Sequence, residues 1–206
     1  MLSRWVRTWY GIVLRPLFSL LLTLGITANT LTIASLIIVA SAGISFAYGQ
    51  RILAAWLLLL GALLDGIDGE LARVGGFESP FGAFLDSICD HCADFAIYLG
   101  MLWPYLKSDA YLEVILIFVA MFSSVFGSHV RSRAGMMGID TKSIGLFTRF
   151  ERIIILIIGM FIGKLTIALW GLAVFNSLSA IQRIIHTVRA SHVEKSTLRS
   201  RQPVKP

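Results

Sequence analysis

The chain has 206 residues, of which 56% are hydrophobic and 15% charged, and its formal net charge is +6. A soluble domain is roughly half apolar and a quarter charged, so this composition argues against a soluble protein and favours one membrane domain. The basic residues lie mostly between and beside apolar runs, so no nucleic-acid partner is needed to explain the charge. Cys89 and Cys92 lie in an apolar stretch, and no disulfide framework is expected.

The first residues predict an amphipathic helix at the membrane interface, because Trp5, Trp9 and Tyr10 accompany basic residues there. Apolar runs follow, and a run of about 20 residues is long enough to cross a bilayer as a helix. We expect an all-α integral membrane protein with six transmembrane helices in addition to the interfacial helix. The predicted spans run from about Thr30 to Tyr48, Ile52 to Arg73, Phe81 to Trp103, Ala110 to Arg133, Phe150 to Ile162 and Leu165 to Val188.

Polar and proline residues set the predicted limits of the domain. Pro104 and the polar residues that follow it are expected to close the third span. One membrane domain would then occupy residues 1–190. Residues 191–206 are polar and basic, and we expect a disordered tail there.

The distribution of positive charge predicts the orientation in the membrane. An even number of spans puts both termini on one side, together with most of the 18 basic residues. Only Arg51, Lys107 and Lys164 then lie on the other side. Because basic loops favour the cytoplasm, we expect a multi-pass protein of the cell (plasma) membrane with both termini in the cytoplasm. The loops after the second and fourth spans would also be cytoplasmic.

Four aspartates lie in two otherwise apolar helices. Asp65 and Asp68 are three residues apart and Asp86 and Asp90 are four apart, so each pair shares one helix face. A carboxylate in lipid is costly unless it is paired, metal-bound or in contact with water. An acidic network neutralised by arginines, without catalysis, is one interpretation. The number and spacing of the carboxylates favour a bound cation, and ligand sets made only of oxygen suit Mg²⁺, Mn²⁺ or Ca²⁺ rather than zinc.

The stretch from Asp65 to Asp90 reads D-x2-D-G-x2-A-R-x8-G-x3-D-x3-D. This pattern resembles the signature of the CDP-alcohol phosphotransferase family, with every position present. The resemblance implies a six-helix membrane fold, usually a homodimer, that binds a pair of divalent metal ions, Mg²⁺ or Mn²⁺. By that resemblance, Asp65, Asp68, Asp86 and Asp90 are metal ligands.

The resemblance also implies the reaction. Asp90 would act as general base and take the proton from an acceptor hydroxyl, which attacks the β-phosphorus of a CDP-lipid and releases CMP. Gly69, Ala72 and Arg73 would contact the CDP moiety. The family has a further element before the first span, a proline-asparagine-x-x-threonine run, which reads Ala28-Asn29-Thr30-Leu31-Thr32 here. By that likeness, Asn29 and Thr32 are candidate nucleotide-binding residues.

Four arginines at the predicted cytoplasmic helix ends suggest a phosphorylated acceptor. Arginine binds phosphate through two parallel hydrogen bonds, so a cluster of this kind suits an anion beyond the two phosphates of CDP. Ordinary positive-inside charge, with contact to lipid headgroups, is the alternative interpretation. The four residues are Arg131, Arg149, Arg152 and Arg183.

The segments around these arginines resemble the inositol-phosphate branch of the family, which includes phosphatidylinositol-phosphate and archaetidylinositol-phosphate synthases. The resemblance implies inositol phosphate as the acceptor. His129, Arg131 and Gly135 replace the tyrosine, lysine and glutamate of that branch, and His91 stands where it usually has arginine. Glycerol 3-phosphate, which would give phosphatidylglycerophosphate, is the alternative acceptor. Both CDP-diacylglycerol and CDP-archaeol remain possible donors.

A transporter is the competing class of protein. Metal and proton transporters also hold carboxylates within the membrane. They usually place them near the midplane on broken helices, often in repeated halves of the chain. The four aspartates cluster toward one membrane face and the sequence shows no repeat, so a phosphotransferase is favoured over a metal transporter.

Overall fold

In a computed structural model, the protein is described over residues 15–141, 144–145 and 148–201, with backbone only for residues 15–17, 19 and 192–201. These ranges contain α-helices and no strand, so the all-α prediction is confirmed. The predicted interfacial segment with Trp5, Trp9 and Tyr10 lies outside them. The helices are α1 (Arg15–Thr23), α2 (Ala28–Ala47), α3 (Arg51–Gly75), α4 (Pro80–Lys107), α5 (Tyr111–Met136), α6 (Arg149–Ile162) and α7 (Leu165–Arg201).

Four of the described helices are long and apolar enough to cross a membrane: α2, α3, α5 and the part of α7 between Leu165 and Ser191. The helix α4 has 28 residues but carries Asp86, Asp90 and Asp94, which lower its mean hydropathy. The helix α6 has only 14 residues, fewer than the ~20 that span a bilayer. The topology with six spans therefore stays a prediction.

Two predicted helix ends differ in the structure. The helix α4 continues past Pro104 to Lys107. A proline removes one backbone hydrogen bond, and so close to a helix end the helix can continue without it. The helix α7 continues past Val188 to Arg201, where a disordered tail was predicted. The chain has no glycine or proline between Gly171 and Pro203, so nothing in this stretch breaks the helix.

The helices form two compact units, one ending at Met101 and the other starting at Leu102. In the first unit, Phe18 of α1, Leu31 of α2 and Leu71 of α3 form a buried cluster. The backbones of α2 and α4 touch at Gly43 and Gly100, where an added Cβ on Gly100 would overlap the backbone of Gly43. These contacts hold α2 against α3 and α4, the two helices that carry the four aspartates.

In the second unit, α7 packs against both α5 and α6. A Cβ on Gly159 would lie 2.7 Å from the Cβ of Ala168, so α6 and α7 approach closely there. The hydroxyl of Thr166 donates to a carboxylate oxygen of Glu113 at 2.9 Å, which joins α7 to α5. A capping box of Thr148 and Glu151 begins α6, and the left-handed Gly163 ends it.

Candidate active site

Three of the four predicted metal ligands converge in the first unit. Asp65 and Asp68 come from α3 and Asp86 from α4, and one carboxylate oxygen of each lies within 4.8 Å of the others. Three carboxylates at this separation repel one another unless a cation lies between them. The donor set is all oxygen and anionic, which fits Mg²⁺ or Mn²⁺. Asp90 is one helical turn beyond Asp86 and does not belong to this group of three.

A hydroxyl group from a different helix holds one of these carboxylates. The Oγ1 atom of Thr32, on α2, donates a hydrogen bond of 2.5 Å to Oδ2 of Asp68, on α3. Both side chains are buried, each with 4% of its surface exposed. Thr32 was predicted to bind the nucleotide, and its hydrogen bond to Asp68 was not predicted. Because the two residues are 36 positions apart, no local pattern could have indicated this pair.

A cleft of about 200 Å³ lies beside the carboxylates. Its walls come from α2, α3, α4 and the connection between α3 and α4. All five residues predicted to contact CDP line it, together with two of the aspartates. Three further residues that line it were not predicted: Phe77, Glu78 and Ser79, which lie in the eight-residue spacer of the motif. The lining residues that were predicted are Asn29, Thr32, Asp68, Gly69, Ala72, Arg73 and Asp86.

The guanidinium group of Arg73 lies at the edge of this cleft between two carboxylates. Its Nη1 atom donates to Glu70 at 2.7 Å, and its Nε atom lies 3.7 Å from Glu78. The side chain of Arg73 is 47% exposed, and exposed ion pairs of this kind contribute little free energy. Arg73 can therefore exchange these partners for a phosphate group at small cost.

In the second unit, three of the four predicted acceptor arginines lie near one another. Arg131 of α5 and Arg152 of α6 are close enough to Arg183 of α7 for their positive charges to repel it. The guanidinium of Arg152 also donates a hydrogen bond to the hydroxyl of Ser124. Arg149 is three residues before Arg152, on the first turn of α6. A concentration of positive charge like this suits an anionic ligand.

Arg183 also has a structural role that the sequence did not indicate. Its side chain is buried, with 8% of the residue exposed. Its Nε atom donates to the carbonyl of Ile144 at 2.9 Å, and Nη1 donates to the carbonyl of Gly127 at 3.1 Å. Arg183 thereby ties α7 to α5 and to the connection between α5 and α6. Only part of its donor capacity is left for a phosphate.

Comparison with known proteins identifies the family. The profile of the CDP-alcohol phosphatidyltransferase family matches residues 25–188, which is most of the chain. The chain therefore belongs to the CDP-alcohol phosphatidyltransferase family. It is a membrane protein and a transferase, as the motif from Asp65 to Asp90 indicated, and the transporter interpretation has no support.

Two relatives agree with the predicted branch of the family. The chain is 37% identical over 165 residues to the archaetidylinositol phosphate synthase of Pyrococcus horikoshii, covering 80% of this chain and 85% of the relative. It is 34% identical over 194 residues to the phosphatidylinositol phosphate synthase of Mycobacteroides abscessus, covering 90% of this chain and 87% of the relative. The resemblance to inositol-phosphate enzymes is thus confirmed.

Solved structures of a related enzyme share the fold. The phosphatidylinositol phosphate synthase of Mycobacterium tuberculosis, in complex with manganese and citrate, aligns with a TM-score of 0.77 and 28% identity. That alignment covers 84% of this chain and 87% of the relative. The same enzyme with CDP-DAG bound gives a TM-score of 0.76 at 28% identity, covering 84% of this chain and 92% of the relative.

Proposed function

We propose that the protein transfers a phosphatidyl-type group from a CDP-lipid to inositol phosphate and releases CMP. The observation that carries this proposal is the group of three carboxylates, within 4.8 Å of one another, beside a cleft lined by the motif residues. The names of its relatives support inositol phosphate as the acceptor. The related structures with manganese and with CDP-DAG support a divalent metal and a CDP-lipid donor.

Each of the four aspartates binds metal in the proposed mechanism, and Asp90 is also the general base. Asp65, Asp68 and Asp86, with Asp90, would hold the metal, which we propose is a pair of Mg²⁺ or Mn²⁺ ions. The bound metal would neutralise the negative charge of the pyrophosphate. Asp90 takes the proton from the acceptor hydroxyl as that oxygen bonds to the β-phosphorus. The bond from this phosphorus to the bridging oxygen breaks, and CMP leaves with the electron pair.

The cleft would hold the CDP moiety against α3. Gly69 and Ala72 leave space for it, and Arg73 would pair with a phosphate oxygen. Asn29 would contact the nucleotide from α2. These roles follow from the lining of the cleft and from the family motif.

A larger residue in place of Gly69 tests whether this position leaves space for the CDP moiety. An added Cβ would lie 3.6 Å from the guanidinium of Arg73, an ordinary contact, so the fold accepts alanine there. We expect Gly69→Ala to raise the KM for CDP-lipid about tenfold, because the methyl group occupies cleft volume (~1.4 kcal/mol). Initial rates at varied CDP-lipid measure this.

Gly66→Ala is the matched control, since it changes the same helix one turn earlier. A Cβ on Gly66 meets no atom within 4 Å, and Gly66 does not line the cleft. Both substitutions favour the helix by about 1 kcal/mol, so stability should rise or stay the same in both variants. An equal increase of KM in the two variants would assign the effect to the helix and remove Gly69 from the nucleotide site.

The arginines of the second unit would bind the acceptor phosphate. Arg131 is exposed, so its substitution should leave the fold intact. We expect Arg131→Ala to raise the KM for inositol phosphate by about 10-fold to 100-fold, the loss of one charge-assisted hydrogen bond. The KM for CDP-lipid should not change. Arg133→Ala, also exposed and two residues further along α5, is the control, and an equal effect there would point to general surface charge.

We also propose a membrane topology and an assembly for the chain. Residues 1–190 would form the membrane domain, with six spans in the cell (plasma) membrane and an active site on the cytoplasmic side. Residues 191–206 would form a basic cytoplasmic segment, and two copies of the chain would form a homodimer. The lipid of the donor is diacylglycerol or archaeol, and glycerol 3-phosphate is the alternative acceptor.

Release of CMP by the purified full-length protein tests the function. The assay uses detergent, Mg²⁺ or Mn²⁺, and CDP-diacylglycerol or CDP-archaeol, with one acceptor at a time. We expect release with inositol 1-phosphate, and none with inositol or serine. Release with glycerol 3-phosphate alone would support the alternative acceptor. No release under any of these conditions would contradict the transferase proposal for this chain.

A further inference from the structure

We propose that Thr32 is a positioning residue of the metal site: its hydroxyl orients the carboxylate of Asp68 and so sets the affinity for the divalent ion. This inference rests on the proposed metal site and extends it to a residue outside the acidic motif. It also changes the role expected for Thr32, from contact with the nucleotide to support of a metal ligand.

The hydroxyl of Thr32 has one proton and two acceptors within reach. Oδ2 of Asp68 lies at 2.5 Å and the carbonyl oxygen of Ala28, one turn back on α2, lies at 3.0 Å. A hydrogen bond to a charged acceptor is shorter and stronger than one to a neutral carbonyl. The proton therefore goes to Asp68, which fixes the orientation of a carboxylate that belongs to the group of three.

Burial makes this orientation effective. Thr32 and Asp68 are each 4% exposed, so little water competes for the hydrogen bond. Threonine is branched at Cβ, which restricts its side-chain rotamers, and the hydroxyl comes from α2 whereas the carboxylate comes from α3. Partners of this kind, which hold a metal ligand without touching the metal, typically change metal affinity or activity by about 10-fold to 100-fold.

The same pair of helices provides a matched control. Ser35 lies one turn beyond Thr32 on α2, is 3% exposed, and donates its hydroxyl proton to the carbonyl of Gly61 on α3 at 2.9 Å. Both hydroxyls thus link α2 to α3 from buried positions, but Ser35 bonds to backbone and Thr32 bonds to a carboxylate. If such a hydroxyl only linked the two helices, removing it from Thr32 or from Ser35 would change metal affinity equally.

Binding of Mn²⁺ to the purified full-length protein, measured by isothermal titration calorimetry without substrate, tests the proposal. We expect Thr32→Val to raise the Kd for Mn²⁺ about 10-fold to 100-fold, Thr32→Ser to keep it within about threefold of the wild type, and Ser35→Ala to leave it unchanged. A parallel assay of CMP release should show that excess Mn²⁺ recovers much of the activity of Thr32→Val, with an unchanged KM for CDP-lipid.

The outcomes separate this proposal from the proposed function. If the wild type binds Mn²⁺ and Thr32→Val binds it equally well, the positioning role is wrong. An increased KM for CDP-lipid at saturating Mn²⁺ would return Thr32 to the nucleotide site. Equal losses in Thr32→Val and Ser35→Ala would mean that contact between α2 and α3 is what matters. If the wild type itself binds no Mn²⁺, the proposed metal site is what fails.

Discussion

Replacing Asp68 with asparagine is expected to slow CMP release by about 10³-fold, which corresponds to ~4 kcal/mol of lost stabilisation of the transition state. The substitution keeps the size of the side chain and its acceptor for Thr32 but removes a negative charge from the group of three carboxylates. Without that charge, a divalent ion binds weakly and the developing charge on CMP is not neutralised. Initial rates at saturating CDP-lipid and inositol phosphate measure the loss.

The same variant should be more stable than the wild type when metal is absent. Asp68 is buried and lies close to two other carboxylates, so its charge opposes folding unless a cation compensates it. Without metal, we expect the Tm of the variant to be several degrees higher than that of the wild type. Mn²⁺ should raise the Tm of the wild type but not that of the variant. Loss of activity together with a lower Tm would instead indicate general damage to the fold.

Glu113→Gln is the control for this experiment. Glu113 is a half-buried carboxylate on α5 that accepts a hydrogen bond from Thr166, so its substitution also removes an acidic group from the interior of a helical unit. It lies outside the group of three carboxylates. CMP release by this variant should stay within about twofold of the wild type. A comparable loss of activity in Glu113→Gln would contradict a specific role for Asp68.

Asp90→Asn is expected to lower kcat by about 10²-fold to 10⁴-fold, the usual contribution of a general base. An amide cannot take the proton of the acceptor hydroxyl, and the Asp65, Asp68 and Asp86 group is left intact. The KM for CDP-lipid should therefore change little. The increase of Tm with Mn²⁺ should persist, because three of the proposed ligands remain.

Asp94→Asn gives the comparison within the same helix. Asp94 lies one turn beyond Asp90 on α4 and is half-buried, as Asp90 is. We expect its substitution to lower kcat by less than about threefold, because it is not assigned to proton transfer. If the two variants lose activity equally, or if Asp90→Asn keeps full activity, then Asp90 is not the general base.

The sequence was most informative where a pattern lies within one or two neighbouring helices. Residues three or four apart share a helix face whatever the rest of the chain does, so Asp65 and Asp68 could be paired in advance. The connection between α3 and α4 is short, which brings Asp86 back toward them. The group of three carboxylates follows from this local geometry, whereas the predicted cleft-lining residues came from the resemblance to the family.

The parts that could not be predicted depend on how distant helices are rotated against each other. The partner of Thr32 is 36 residues away, and the two carbonyl partners of Arg183 are 39 and 56 residues away. Thr32 was assigned to the nucleotide by likeness to a family element and Arg183 to the acceptor phosphate from its charge and position, and the structure gives each a partner within the protein. A polar side chain next to an apolar helix can satisfy its hydrogen bonds in either way, and only tertiary packing decides.

The contact between α2 and α4 at Gly43 and Gly100 fixes how the two helices cross, and so affects the distant proposed metal site. Thr32 is 11 residues from Gly43, about 16 Å along a helix, and Asp86 is 14 residues from Gly100, about 21 Å. A methyl group at either glycine would force the helix axes apart. The displacement that a small rotation there causes would increase with distance along each helix. The distance between Asp86 and the aspartates of α3 should therefore depend in part on two glycines outside the group of three carboxylates.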